Sequence, residues 1–275
     1  MTSDEDVINA AIRAMRQKIQ QRPIEPPLPE TPPIEPPVLV DEPVANQPKP
    51  KRKALSKKSD IAKLPKTWRA QIFAATKPKT EKVSNLSSAV AVLWVTGCRP
   101  VELQKGVRIS LVDGALVVHI LGGKHGMITN DKGSFERGLE WRTLKINPKL
   151  NLATEYLAQV ASDGKEHFVK YNKDSIRTRI NELGRTAFAK KKIAISVSPY
   201  SFRHAMGSDV KSCDAMTDEQ KSQIMGHLSC DSLQVYGCRR HGGGGVSPVQ
   251  SVEASKTPHG QYVSGDDHDS THPKP

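Results

Sequence analysis

Hydrophobic positions recur at helical spacing over most of residues 66–106 and again from residue 152 onward, and they alternate only in the stretch between. "KTWRAQIFAAT" (66–76) and "NLSSAVAVLWVTG" (85–97) predict two helices, with Gly97 as the stop of the second, and "VELQKG" (101–106) predicts one further helical turn. "VRISLVDGALVVHILGG" (107–123) places two β-rich runs around Asp113-Gly114, a hairpin signal, and "LEWRTLKI" (139–146) predicts a third strand. From Leu152 the pattern is helical again, through "LATEYLAQVAS", "KDSIRTRINELGRTAFAKK", "SFRHAMGSDVKSC", "TDEQKSQIMGH" and "SLQVYGCRR". The expectation is a mainly α domain over residues 64–241 with a small three-stranded antiparallel sheet near its front, an α+β class.

The flanks do not carry that pattern. Val7, Ile8, Ala11, Ile12, Met15 and Ile19 predict a short amphipathic helix within residues 1–22. Residues 23–63 form a proline-rich spacer ending in the basic run "KPKRKALSKK", where proline denies both helix and sheet ladders. Residues 242–275, opening on "GGGGVSPVQ", lack the apolar density to pack and are expected to be a disordered tail. No run of about 18 apolar residues and no signal-peptide core is present, so a cytoplasmic protein without a membrane span is expected.

Charge narrows the partners. The chain carries a net +12, yet residues 1–50 hold eight Asp and Glu against five Lys and Arg, so an excess of +15 falls on residues 51–275. An excess of that size favours polyanions, nucleic acid first, because released counterions drive association. The cysteines Cys98, Cys213, Cys230 and Cys238 form no C-x-x-C pair and suggest no disulfide framework. One metal-like spacing stands as an alternative: His227-x-x-Cys230 followed by Cys238-x-x-His241, a zinc-stabilised module.

Four pieces of sequence then fall in order. "TGCRPVEL" places Arg99 just after Gly97; "LGGKHG" places Lys124 in the turn after the second strand; "PYSFRHAM" supplies Tyr200 and Arg203; "IMGHLSCDSLQVYG" supplies His227, with Tyr236 nine residues later. This order, over residues 90–240, resembles the catalytic domain of the tyrosine recombinase (phage integrase) superfamily, whose signature is Arg, a hairpin Lys, H/K-x-x-R, H/W and a nucleophilic Tyr. The resemblance implies Arg99, Lys124, Tyr200, Arg203, His227 and Tyr236 as catalytic residues, with Tyr200 standing where the family usually has His or Lys. It also implies double-stranded DNA as substrate, a homo-oligomer of two to four copies on it or a partner recombinase, a bacterial mobile element as source, and no metal or cofactor.

The chemistry suits those residue types. Attack on a phosphodiester increases negative charge on its non-bridging oxygens, and two guanidiniums such as Arg99 and Arg203 hold such oxygens bidentately. A phenol such as Tyr236 needs a positive field or a base to become a nucleophile, and a lysine such as Lys124 on a hairpin turn is suited to protonating the leaving 5′-oxygen. Each group also has a plain structural use: Arg99 on helix carbonyls, Arg203 in a surface ion pair, His227 at a helix end, Tyr236 in the core, and Lys132 in place of Lys124. Glu102 is placed to orient Arg99 or a helix end. A non-cleaving DNA-binding relative and a type IB topoisomerase remain the other readings.

Overall fold

The structure, a computed structural model, describes residues 61–77, 85–130, 133–189, 196–243 and 245–260. All of them belong to one unit, Lys53–Pro275. The expected helix at 7–21, the spacer up to residue 60 and the last part of the tail lie outside the described residues.

Seven α-helices are described: α1 (Trp68–Ala75), α2 (Asn85–Thr96), α3 (Pro100–Lys105), α4 (Leu152–Val160), α5 (Lys173–Phe188), α6 (Pro199–Ser212) and α7 (Asp218–Met225). Helix α2 is buried on every side, with Val90, Ala91, Val92 and Leu93 fully inaccessible, because it is apolar around its whole circumference. It packs against α4 and α6. Trp68 of α1 closes one end of this core on Phe202 of α6, ring centroids 4.7 Å apart, while Phe73 meets Tyr156 of α4 edge-on at 5.5 Å.

The sheet is larger than expected. Strands β1 (Val107–Val112) and β2 (Ala115–Leu121) form the predicted hairpin, its turn made by Asp113 and Gly114, both at positive φ as a tight two-residue turn demands. The predicted third strand is β5 (Trp141–Ile146), paired antiparallel to β2. Two strands that the pattern did not announce complete a five-stranded sheet in the order β6-β1-β2-β5-β7: β6 (His167–Val169) and β7 (Ser251–Ala254). Both are three or four residues long, too short for alternation to register. A separate ribbon joins β3 (Gly126–Asn130) to β4 (Gly133–Arg137). Val107, Ile109, Leu116, Val118, Ile120, Leu144 and Ile146 alternate onto the buried face, against which α4 packs.

Strand β7 corrects the expectation of a disordered tail from residue 242. Residues 245–260 follow the domain: Val249 is buried, Gln250 N–H donates to the Lys145 carbonyl at 2.7 Å, and β7 pairs with β5 in the register Arg142↔Ala254 to Lys145↔Ser251. The segment packs because the sheet edge it covers offers unpaired backbone groups, a reason that local apolar density does not reveal. "SLQVYGCRR", expected to be helical, instead forms 3₁₀ turns at Cys230–Val235 and Arg239–His241, with Tyr236 extended between them. Among the described residues no helix is long and apolar enough to cross a membrane.

Candidate active site

Arg99 is the N-cap residue of α3, and Pro100 starts the helix with no N–H to satisfy. The fold places Glu102 one turn later, fully buried, where its carboxylate binds both Arg99 and Arg142 and, at 3.4 Å through Oε1, the Gly123 N–H. Oε2 accepts from the Arg99 backbone N–H at 2.9 Å, Oε1 accepts from Arg99 Nη1 at 2.7 Å, and Oε2 also accepts from Arg142 Nη2 at 2.9 Å. Burial pushes the Glu102 carboxyl up, but Arg142, Arg99 and Arg203 together hold it well below the usual carboxylate range. Glu102 therefore fixes the direction of the Arg99 guanidinium.

Arg203 lies on α6 and is completely buried, and among the described residues no carboxylate is hydrogen-bonded to it. Its Nη1 donates to the Gly97 carbonyl at 3.0 Å; its Nη2 donates to the Met225 carbonyl at 2.5 Å and to His227 Nε2 at 3.0 Å. An arginine has no acceptor, so His227 accepts at Nε2 and carries its proton on Nδ1. Burial first, then the charges of Arg203, Arg99 and Arg142, hold His227 well below the ordinary imidazole range, so the ring is neutral. Burial and the neighbouring Arg99 bring Arg203 itself down to about 10, still cationic at neutral pH.

Helix α7 supplies the floor. Its C-cap, Gly226, is left-handed at φ 67°, and a Cβ there would stand 2.6 Å from Arg142 Nη1 and 3.4 Å from Arg99 Nη1. A side chain at this position would push the Arg142 guanidinium aside while only touching that of Arg99. The negative end of the α7 dipole and its last carbonyls thus face three arginines.

Tyr236 completes the group. The Arg203 guanidinium carbon sits 4.5 Å from its ring centroid, and the His227 ring stacks on it at 5.3 Å and 28°. His204 meets the same ring at 5.3 Å and accepts the Gly237 N–H at Nδ1, which fixes the chain just after the tyrosine. Partial burial raises the phenol, but the charge and hydrogen bonding of Arg203, then of Arg99, outweigh it and lower its titration. Arg99, Lys124, His227 and Tyr236 all line one cleft of about 680 Å³.

Of the six expected site residues, five are brought together in this way: Arg99, Arg203, His227 and Tyr236 as a packed group, and Lys124 exposed at the rim. Tyr200 is not among them. It is 42% exposed and lines an adjoining cleft with Lys173 and Arg177 of α5, which shares Lys124 with the first. The zinc alternative finds no donor set: His227 is engaged by Arg203, and among the described residues no three His, Cys, Asp or Glu are grouped to hold a metal ion. Cys98, beside Arg99, is a buried thiol pushed up to about 12 by burial and by Glu102, so it is not a nucleophile.

Arg142 is the site residue that sequence reasoning missed. Its signal lay in "WRTLKI", where alternation puts Arg142 on the same face as the buried Leu144 and Ile146; a charge on the apolar side of a strand asks for a buried partner.

No family model and no curated protein matches this chain. Among solved structures, the crystal structure of XerA recombinase is similar to it at 19% identity and a TM-score of 0.40, over 70% of this chain. The chain spans 61% of that structure's length.

Proposed function

We propose that residues 64–241, together with the strand that follows them, break and rejoin duplex DNA through a 3′-phosphotyrosyl intermediate, as a site-specific recombinase or integrase does. The observation that carries this reading is the placement of the Tyr236 ring directly against Arg203 and His227 in a cleft also lined by Arg99 and Lys124. Tyrosines that serve only as packing are not usually surrounded by cations that lower their titration.

The roles follow from the contacts. Arg99, on the cleft, binds the non-bridging oxygens of the scissile phosphate; Arg203, buried behind Tyr236 and held rigid by the carbonyls of Gly97 and Met225, supplies its charge from beneath, with little reorganisation as the pentavalent state forms. His227, neutral, stacks on the Tyr236 ring and holds Arg203 through Nε2, while its buried Nδ1–H has no partner among the described residues and would reach a phosphate oxygen only after the ring shifts. The Tyr236 phenol loses its proton to solvent under the field of the two arginines, and its oxygen attacks phosphorus. The P–O5′ bond breaks as the Tyr–O–P bond forms, and Lys124 gives its proton to the departing 5′-oxygen. The phosphotyrosyl bond conserves the energy of the phosphodiester, so reversal by a new 5′-hydroxyl needs no nucleotide cofactor. Tyr200 contributes DNA contact in the adjoining cleft and takes no part in proton transfer. Assembly into a homo-oligomer on DNA belongs to the same proposal.

A nicked suicide duplex carrying the native site, incubated with the full chain and run on a denaturing gel, tests it. The wild type yields a covalent adduct, and Tyr236→Phe yields none while retaining DNA binding, since it loses one hydroxyl at constant shape. Adduct formation by the Phe variant rejects Tyr236 as nucleophile; DNA binding without any wild-type adduct assigns the chain to the non-cleaving alternative.

A further inference from the structure

Three arginines and one carboxylate are buried together at the C-terminal end of α7, and their charges do not cancel. Arg99, Arg142 and Arg203 contribute three positive charges and Glu102 one negative, a surplus of two in a space closed to water except at the cleft. A buried surplus of that size persists only where something offsets it, here the carbonyls of Gly97, Met225 and Gly226 and whatever anion enters the cleft. Among the described residues, Glu102 is the only carboxylate hydrogen-bonded to either Arg99 or Arg142, and it divides its oxygens between them.

We propose that Arg142 is the positioning residue of the phosphate clamp: by taking half of Glu102, it keeps that carboxylate from neutralising Arg99 and leaves the Arg99 guanidinium charged and directed at the substrate phosphate.

The geometry that supports this is specific. Arg142 is 1% exposed and does not reach the cleft lining, so it acts on phosphate only through another group. Its Nη2 holds Glu102 at 2.9 Å while its Nε is left without a partner among the described residues, an expensive arrangement for a residue whose only task is packing. Arg99 holds Glu102 at 2.7 Å through Nη1, with a looser 3.5 Å contact to the Gly226 carbonyl. Strand β5 fixes the Arg142 backbone between Ile120 of β2 and Ala254 of β7. Without Arg142 the whole carboxylate falls to Arg99, and the surplus drops from two to one.

The inference rests on the proposed phosphate-binding role of the cleft but not on cleavage, so its test reads two quantities that exist without DNA. The first is affinity for inorganic phosphate, by calorimetry. The second is ionisation of Tyr236, taken as the ultraviolet difference between each protein and its Tyr236→Phe counterpart. Arg142→Met is expected to weaken phosphate binding by about tenfold, the scale of one charged hydrogen bond, and to move the phenol titration back toward its ordinary value. Arg142→Met combined with Glu102→Gln restores the surplus of two and is expected to recover most of both. This double variant leaves no unpaired carboxylate, so it also serves if the single one does not fold. Arg142→Lys keeps the charge and is expected to fall between.

A single variant that melts earlier yet binds phosphate and titrates as the wild type does would show a structural role only and overturn the proposal. So would a double variant no better than the single one or, where only the double one folds, a double variant far weaker than the wild type. Absence of a DNA adduct from the wild type removes the cleavage reading and leaves these two readouts standing.

Discussion

His227 is buried, accepts a hydrogen bond from a cation and must remain neutral in the fold. The unfolded chain takes up a proton at the ordinary value of 6.5, whereas the native ring resists protonation to well below it. A depressed native value means that the unfolded state binds more protons in this window, so stability falls as pH drops below 6.5. Replacing His227 with Gln is expected to flatten the stability profile below pH 6.5, measured by urea melts across pH. Below pH 4.5 Glu102 adds to the fall, since its native value is also depressed and its contribution disappears as it protonates. Tyr200 makes the contrasting case. Exposed and outside the packed group, it is expected on substitution by Phe to change DNA affinity by less than about 1 kcal/mol and to leave single-turnover cleavage unchanged. A fall in rate alone would return it to the chemistry.

At the level of elements, the last strand does more than extend the sheet. It covers the β5 edge beside Arg142, follows the buried Val249, and continues to Lys256 and His259, both on the cleft that holds Tyr236. Ending the chain at residue 243 is expected to cost about 2 kcal/mol or more in denaturant melts, the worth of one buried valine plus the exposed sheet edge. How far these elements were legible depended on their length. Helices such as α5 and the Asp113-Gly114 hairpin repeat their period often enough to be read from local sequence alone. Strands β6 and β7 owe their existence to an edge that other residues present, which no window of a few residues contains. The site divides in the same way. Arg99, Arg203, His227 and Tyr236 are picked out by motifs whose order resembles a family signature, whereas Arg142 has significance only through Glu102, 40 positions earlier. Tyr200 was placed in the site by its offset from Arg203. It is the second residue of α6 and 42% exposed, whereas Arg203, three positions later, is fully buried.

For the molecule as a whole, the basic excess sets how binding responds to salt. The run "KPKRKALSKK" contributes six cations upstream of the described domain. If several of them neutralise phosphates, deleting residues 1–60 is expected to lower the slope of log affinity against log salt by about 0.9 for each phosphate that this run had neutralised. Titrations across a range of salt concentrations measure that slope directly, and an unchanged value means that the run stays off the DNA.

The partners in the clamp are far apart along the chain: Arg99 meets Gly226 across 127 residues, and Arg142 is flanked by Ala254. During synthesis, therefore, the arginines emerge long before the helix end, the tyrosine and the strand that complete their surroundings. Pairings of such sequence separation form late, once the chain between them is available. A nascent chain still tethered to its ribosome would hold its cations hydrated and lack Tyr236 beside them, a harmless basic polypeptide. The order of residues along the chain would then itself act as a safety catch, withholding the proposed DNA-cutting centre until the last strand of the domain has been made.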